Sequence, residues 1–148
     1  MTIRRVALFD IDGVLAASWN RSALIDTESW DAFHAASVED EPIEEILDIA
    51  HAMYETELWY IVLLTGRPEK WRNITMRWVL QHDAPMHELL MRPDDDYRPA
   101  AEVKLDIIRT RWPGLNPKAT IVFEDHEPTA AAWRGLGFTT LLVTAYNR

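Results

Sequence analysis

Five short, continuous runs of apolar residues constrain the fold more than any other feature of the chain. They span residues 5–9, 59–64, 89–91, 120–123 and 140–143. Because their apolar residues are consecutive rather than alternating, they are typical of strands that are covered on both faces, as in a parallel sheet. Segments with helical periodicity lie between the runs. This alternation predicts an α/β fold, an open parallel sheet with helices on both faces.

The helical patterns indicate one domain of ordinary size. Apolar residues recur at three- and four-residue spacing over residues 43–54, 71–78, 100–107 and 128–135. A length of 148 residues is enough to bury a core and suits a single domain. We therefore expect residues 1–148 to form one domain.

One gap between strand and helix is longer than the others. About thirty residues separate Asp12 from the first predicted helix, and only residues 29–37 among them have a helical pattern. We interpret this insert, at about residues 16–40, as a small cap over the end of the first strand, because loops at that edge overhang the ligand crevice of open α/β sheets. The alternative is a surface loop with a helical turn packed by Trp30 and Phe33.

Composition excludes several classes of function. The chain has no Cys, which rules out disulfides, thiolate zinc sites and cysteine nucleophiles. Its formal net charge of −9 argues against a broad, sequence-independent grip on nucleic acid, although it allows a small cationic pocket. No apolar run approaches the roughly 18–20 residues of a membrane span, and Asp10 interrupts the apolar start too early for a signal peptide. We therefore expect a cytoplasmic protein with no membrane partner.

Two carboxylates stand one residue apart directly after the first run, in Asp10-Ile11-Asp12-Gly13. Side chains two positions apart on an extended segment point to the same side, and open α/β sheets bind ligands at the carboxyl ends of their strands. Asp10 could attack a phosphorus atom and form an aspartyl phosphate. Asp12 could protonate the leaving oxygen and later deprotonate the hydrolytic water. The alternative is a polar turn with two solvated carboxylates.

A second motif, Thr65-Gly66-Arg67, follows the second run and precedes Pro68. We expect it to end the strand and open a helix, whose free N–H groups and dipole would bind a phosphoryl oxygen. The Thr65 hydroxyl and the close backbone approach that Gly66 allows would add to this phosphate site. Arg67 could bind the phosphate through paired N–H donors. The alternative is an ordinary strand-to-helix turn.

Lys104 lies near the start of the third predicted helix. In a parallel sheet that position is close to the carboxyl edge of the strands. A cation there could act in catalysis and phosphate binding by offsetting the negative charge of carboxylates and phosphate. Without this context it would be a surface lysine.

The acidic pair Glu124-Asp125 closes the fourth run. Because Mg²⁺ prefers oxygen ligands and takes one or two carboxylates, Asp10, the main-chain carbonyl of Asp12 and Asp125 could supply a magnesium site. The alternative for the pair is charge compensation at the start of the next helix. None of the five histidines has the spacing of a metal site, and we expect them on the surface or at helix caps.

Taken in order, these four motifs resemble those of the haloacid dehalogenase (HAD) superfamily. They are an Asp-x-Asp-Gly-Val segment, a Thr after a strand, a Lys, and an acidic pair that ends a later strand. The resemblance covers nearly the whole chain. It implies a Rossmann-like sheet of strand order 3-2-1-4-5, a magnesium cofactor and an aspartyl-phosphate intermediate.

A narrower resemblance is to the phosphatase half of phage-type polynucleotide kinase/3′-phosphatases. It rests on residues 65–67, 76–79 and 97–99, the last ahead of Lys104. It implies removal of 3′-phosphates from nucleic-acid ends. Glu124 stands where that group usually has Asp, which leaves the role of Glu124 open. Because the chain contains no Gly-x-x-x-x-Gly-Lys-[Ser/Thr], kinase activity is not predicted.

The leading hypothesis from the sequence is a magnesium-dependent phosphatase of 3′-phosphorylated nucleic-acid ends. Basic residues that could grip the last phosphates of a strand are Arg67, Lys70, Arg72, Arg77 and Arg98. Of these, we expect Arg67 and Arg98 to contact the substrate backbone. The alternatives are a phosphatase of free nucleotides or other small phosphate esters, and a non-catalytic binding module on the same fold.

Overall fold

The computed structural model describes residues 5–27 and 29–145, and a five-stranded sheet forms its centre. The strands are β1 (Arg5–Phe9), β4 (Trp59–Pro68), β5 (Glu88–Arg92), β6 (Thr120–Glu124) and β7 (Thr139–Leu142). Neighbouring strands are parallel, in the order β5-β4-β1-β6-β7. When only these five strands are numbered, in chain order, their order in the sheet is the predicted 3-2-1-4-5. The whole-chain labels differ because β2 (Ala16–Ala17) and β3 (Glu41–Pro42) form a separate ribbon.

Both faces of the sheet are covered, which explains the continuous apolar runs. Val6 and Leu8 of β1 pack in one core cluster with Trp133, whereas Phe9 packs in the other with Trp78. Successive side chains of a strand point to opposite faces, so a strand buried on both sides must be apolar at every position. The predicted α/β fold with a parallel sheet is confirmed.

The described part of the chain contains six α-helices, the first two of them in the insert after Asp12. They are α1 (Ala23–Thr27), α2 (Trp30–Ala35), α3 (Glu44–Glu55), α4 (Arg72–Gln81), α5 (Ala100–Arg111) and α6 (Glu127–Gly135). The last four correspond to the helices predicted from periodicity. Among the described residues, no helix has both the length and the apolar character that crossing a membrane requires.

The second strand of the sheet is longer than predicted. β4 continues through the Thr65-Gly66-Arg67 motif to Pro68, and a 3-10 helix at Glu69–Trp71 precedes α4. The expectation that this motif opens a helix is therefore wrong. Pro68 favours extended backbone at the residue before it. Pro68 also pairs with Arg92 of β5 after an irregularity in the strand register, so the motif remains part of the sheet.

The insert after Asp12 begins at β2 and ends at β3, the two strands of the ribbon, in which Ala16 pairs with Pro42 and Ala17 with Glu41. Helices α1 and α2 lie between these strands, together with 3-10 helices at Ser18–Arg21 and Ala36–Glu39. The helical segment predicted over residues 29–37 is observed as α2 and the turn that follows it, whereas α1 was not predicted. The Ser29 hydroxyl caps α2 by accepting from the Ala32 N–H over 3.0 Å.

Candidate active site

The carboxyl ends of β1 and β6 bring two of the predicted acidic residues together. Asp10 follows β1, and Glu124 is the last residue of β6. The Asp10 N–H donates to the Phe123 carbonyl over 3.1 Å, and the rings of Phe9 and Phe123 stack with centroids 4.2 Å apart. These contacts fix the two strand ends against each other, so that both carboxylates are buried at one edge of the sheet.

Lys104 extends from the first turns of α5 into this acidic group. Its Nζ lies 3.2 Å from Asp10 Oδ1 and donates to Glu124 Oε2 over 2.8 Å. Burial would lower the pKa of Lys104, but the charges of Asp10 and Glu124 outweigh burial and raise it, so the amine stays protonated. Burial and Glu124 raise the pKa of Asp10, and Lys104 opposes that change. The lysine thus offsets part of the local negative charge.

Three carboxylates at the carboxyl ends of β1 and β6 form a group that could hold a metal ion. Asp10, Glu124 and Asp125 each offer one oxygen, and these atoms lie within 4.8 Å of one another. Gly13 leaves the space that Asp125 needs, since a Cβ at Gly13 would overlap Asp125 Oδ2, and its φ of +81° also favours glycine. Carboxylate oxygens are the ligands that Mg²⁺ prefers, so the residues present fit this ion. Glu124, whose role was open, belongs to the group.

The Asp12 carboxylate is held by two guanidinium groups. Arg67 donates from Nη2 to Oδ1 over 2.6 Å and from Nε to Oδ2 over 3.0 Å. Arg21 donates from Nη2 to Oδ1 over 2.7 Å. Burial would raise the pKa of Asp12, but the charge and hydrogen bonds of Arg67, followed by the charge of Arg21, lower it to about 2. Asp12 is therefore ionised at neutral pH, in surroundings unlike those of Asp10.

Arg21 and Asp40 complete this arrangement, and the sequence analysis missed both. Arg21 comes from the insert, is 4% exposed, and donates to Asp40 through Nε and Nη2 over 2.7 and 2.8 Å. Asp40 Oδ2 also lies 3.7 Å from Arg67 Nη2. A fully buried arginine is rare unless it is paired, but neither residue belongs to a recognisable motif. The only available signal was the position of the insert directly after Asp12.

His34 lies near the same arrangement and corrects the expectation that the histidines are surface or capping residues. It is 8% exposed, and its ring centroid is 5.9 Å from those of Trp30 and Trp71. Burial, which outweighs the opposing charge of nearby Asp12, lowers the pKa of His34 to about 4. The imidazole is therefore neutral at physiological pH.

The other two residues of the Thr65-Gly66-Arg67 motif are fixed by one hydrogen bond within the motif and one from β5. Thr65 is buried, and its Oγ1 accepts from the Arg67 N–H over 3.1 Å. The Gly66 carbonyl accepts from Arg92 Nε over 2.8 Å. The motif thus lies at the carboxyl edge of β4 as expected, but within the strand and not at the start of a helix.

Most of the predicted row of basic residues is paired with acidic neighbours. The ion pairs are Lys70–Asp31 at 3.2 Å, Arg72–Glu69 at 2.7 Å, Arg98–Asp96 at 2.8 Å and Arg98–Asp106 at 2.5 Å. Arg67 is buried against Asp12. Arg98, expected at the substrate backbone, therefore has two carboxylate partners in this structure, and a phosphate would have to compete with them.

Solved structures with the same fold include HAD enzymes. The chain superimposes on a chain of the Pnkp1/Rnl/Hen1 complex with a TM-score of 0.78 at 20% identity, over 97% of this chain and 47% of that chain. For CbbY from Rhodobacter sphaeroides, solved with phosphate, the TM-score is 0.66 at 14% identity, over 95% and 86%. For a mutant of the HAD family enzyme BT-2542 from Bacteroides thetaiotaomicron, solved with magnesium and inorganic phosphate, it is 0.63 at 13%, over 97% and 96%.

The fold and the acidic edge of the sheet together define a phosphatase domain of the HAD class. Residues 4–147 match the family described as the polynucleotide kinase PNKP phosphatase domain, and the chain belongs to that family. Both resemblances inferred from the motifs are confirmed. The chain spans about half the length of the Pnkp1/Rnl/Hen1 chain that it matches. No curated protein matches the sequence.

Proposed function

We propose that the protein is a magnesium-dependent phosphomonoester hydrolase with Asp10 as nucleophile and Asp12 as general acid and base. The observation that carries this proposal is the different surroundings of two carboxylates one residue apart. Asp10 lies beside Lys104 in a group of carboxylates, whereas Asp12 is bound by two arginines. Two titratable groups in contrasting environments are suited to separate chemical roles.

The reaction would proceed in two displacements. An Asp10 oxygen attacks phosphorus, the bond from phosphorus to the ester oxygen breaks, and Asp12 protonates that leaving oxygen. Asp12 then removes a proton from a water molecule, which attacks the phosphorus of the aspartyl phosphate. The bond from phosphorus to Asp10 breaks, and inorganic phosphate leaves.

The neighbouring residues would bind the metal and the phosphate. Asp10, Glu124 and Asp125, with the main-chain carbonyl of Asp12, would hold Mg²⁺. When bound, the ion would neutralise phosphate charge and favour in-line attack. Lys104 would offset the remaining negative charge, and Thr65 and Gly66 would donate to phosphoryl oxygens.

Substrate binding would weaken the contacts of Arg21 and Arg67 with Asp12. Guanidinium groups bind phosphates and carboxylates through the same paired N–H donors. A phosphate arriving beside Asp12 would therefore compete with its carboxylate for these two groups. Weaker contacts to the arginines would let Asp12 carry the proton that it delivers to the leaving oxygen.

For the substrate we infer a phosphate at the 3′ end of a nucleic-acid strand. Membership in the polynucleotide kinase phosphatase family supports this inference. The insert also supports it, because a cover of two short helices is too small to enclose a whole ligand in the manner of a full lid domain. The ion pairs that the basic residues form with acidic neighbours favour the alternative, a free nucleotide or another small phosphate ester, since this pairing reduces the attraction for a polyanion.

A comparison of phosphorylated substrates separates these possibilities. We expect the highest kcat/KM, in the presence of Mg²⁺, for a 3′-phosphorylated single-stranded oligonucleotide. Its 5′-phosphorylated isomer and the matching 3′- and 5′-mononucleotides serve as comparisons, and Asp10→Asn is the inactive control. The advantage over the 3′-mononucleotide should shrink as salt rises, because backbone contacts are electrostatic.

Two outcomes would reject parts of this proposal. Equal use of the 3′-oligonucleotide and the 3′-mononucleotide at low salt, or a preference for 5′-mononucleotides, would favour the small-molecule alternative. Absence of hydrolysis for every ester, p-nitrophenyl phosphate included, would reject the phosphatase and favour a binding module.

A further inference from the structure

A cleft of about 470 Å³ lies between the insert and the loop that follows β5. Residues that line it include Trp30, His34, Gly66, Lys70, Tyr97 and Arg98. We call it the rim cleft. Gly66 places it next to the Thr65 and Arg67 side of the active site. His34 places it near Asp12, because the His34 ring packs edge-on against Phe33 and the Arg21 guanidinium that binds Asp12 lies over the Phe33 ring. A group attached to the leaving oxygen, which Asp12 protonates, would extend in this direction.

Tyr97 is an exposed aromatic residue on a firmly anchored loop. Its side chain is 91% exposed. The loop is held by Arg92, whose Nη1 donates to the carbonyls of Asp96 and Arg98 over 2.9 and 2.7 Å, and by the Lys70 N–H, which donates to Asp94 over 2.7 Å. An anchored backbone that presents an uncovered ring loses little conformational entropy when the ring binds a ligand.

Trp30 supplies a second aromatic surface to the rim cleft. It is 60% exposed, and it packs edge-on against Phe33 with ring centroids 5.5 Å apart and roughly face-on against His34 at 5.9 Å. Its inner side is thus supported while much of the ring remains available. His34 Nδ1 is also buried without a hydrogen-bond partner among the described residues, a condition that a polar group of a ligand could relieve.

The charged residues of the rim cleft are largely matched within the protein. Lys70 pairs with Asp31, and Arg98 pairs with Asp96. A further anionic group would therefore gain little there, whereas a flat, uncharged ring could stack on the exposed aromatic side chains. Stacking of a base on an aromatic side chain tolerates any base, because every base has a π-face.

We propose that the rim cleft binds the nucleobase of the nucleotide that carries the scissile phosphate, through stacking on Trp30 and Tyr97. This inference rests on the proposed 3′-phosphatase function and adds a base-binding subsite to it. It requires the terminal base to be unpaired, so it assigns the protein to single-stranded ends.

Two oligonucleotides that differ only in the terminal nucleotide test the proposal. Both carry a 3′-phosphate, but in one the last nucleotide has adenine and in the other it is abasic. For the unmodified protein we expect kcat/KM to be about 5- to 140-fold higher with the base, the range expected of base–aromatic stacking. Trp30→Ala and Tyr97→Ala should each bring this ratio toward one, whereas Trp30→Phe and Tyr97→Phe should keep most of it.

Tyr54→Ala is the matched control. Tyr54 is also an exposed aromatic residue, but it stacks on His87 with centroids 4.6 Å apart. His87 precedes β5 and therefore lies at the amino end of the strands, away from the active site at their carboxyl ends. Its removal should leave the ratio unchanged. Equal hydrolysis of the two oligonucleotides by the unmodified protein, or a preference that survives both alanine substitutions, overturns the base-binding subsite alone. Hydrolysis of p-nitrophenyl phosphate but of neither oligonucleotide overturns the 3′-phosphatase function and this inference with it.

Discussion

Arg67 and Asp12 form a two-point ion pair across 55 residues of sequence, with N–O distances of 2.6 and 3.0 Å. The guanidinium is 1% exposed, and Thr75 accepts a third hydrogen bond from it. The arrangement links the carboxyl edge of β4 to the proposed acid and base, and it makes Arg67 part of the fold as well as of the site.

Arg67→Lys should damage both stability and activity, because an ammonium group cannot reproduce the paired geometry. Breaking a fully buried ion pair costs roughly 3–5 kcal/mol, and we expect the lower end because Asp12 is partly exposed. We also expect kcat/KM to fall by about 10²–10³-fold, as for other lost charge-stabilising donors. Urea unfolding and steady-state kinetics measure the two effects. Arg134→Lys, which alters an exposed pair with Glu127, is the control, and equal behaviour of the two variants would contradict the prediction.

Asp10→Asn should abolish turnover, since an amide cannot form the aspartyl phosphate. Beryllium fluoride should in turn bind the unmodified protein as a mimic of that intermediate, detectable by ¹⁹F NMR. Asp12→Asn should retain metal binding but lose about 10²–10⁴-fold in kcat, the usual contribution of general acid–base catalysis. Undiminished hydrolysis by Asp10→Asn would end the covalent proposal.

Asp125→Ala should raise the Mg²⁺ concentration needed for half-maximal activity steeply, because it removes a proposed ligand. Glu124→Gln should do so more mildly, since the amide keeps one oxygen and can still accept from Lys104. Chelation should abolish activity, and Ca²⁺ should inhibit because its coordination is larger and looser. Magnesium titrations of phosphate release measure these effects. Full activity in excess chelator would contradict the magnesium site.

Gly13→Ala should impair the same site indirectly. The added Cβ would overlap the Asp125 carboxylate, and the positive φ of Gly13 disfavours any side chain. We expect a higher magnesium requirement, measured by the same titration. Gly114→Ala is the control because nothing lies within 4 Å of its added Cβ, and it should leave the requirement unchanged. A Gly13→Ala variant with normal magnesium dependence would argue against this tight packing.

The His34 imidazole should make the folded state less stable at acidic pH. Its folded pKa of about 4 lies below the ordinary 6.5 because it is buried, while Asp12 and Asp31 oppose this shift and Arg67 and Arg21 add to it. The unfolded chain therefore takes up the proton first as pH falls. The stability contribution is complete above pH 6.5 and is lost progressively toward pH 4.

Replacement of His34 by Gln tests this pH dependence. The free energy of unfolding, measured with urea from about pH 7 to about pH 4.5, should fall less steeply in His34→Gln than in the unmodified protein. Other titrating groups, Asp12 and Asp40 among them, contribute to both curves and largely cancel in the comparison. Parallel curves for the two proteins would show that His34 does not cause the loss.

Local sequence patterns determined the sheet, its helices and the identity of the proposed nucleophile. The run at residues 5–9 ends at Asp10, and the run at residues 120–123 leads into Glu124, so strand position alone brings these residues to one edge. Lys104 followed from the same rule, because a helix after a parallel strand begins at the carboxyl edge. Such features depend on residues within a few positions of each other, and periodicity records them directly.

Tertiary structure alone decided which groups hold Asp12 and where β4 ends. Arg21 and Asp40 meet Asp12 and Arg67 only because the insert folds back through the ribbon of β2 and β3. The extension of β4 to Pro68 depends on pairing with Arg92 in a distant strand. Ion pairs and strand ends of this kind depend on distances between segments far apart in the chain, and burial makes them strong without leaving a periodic pattern in the sequence.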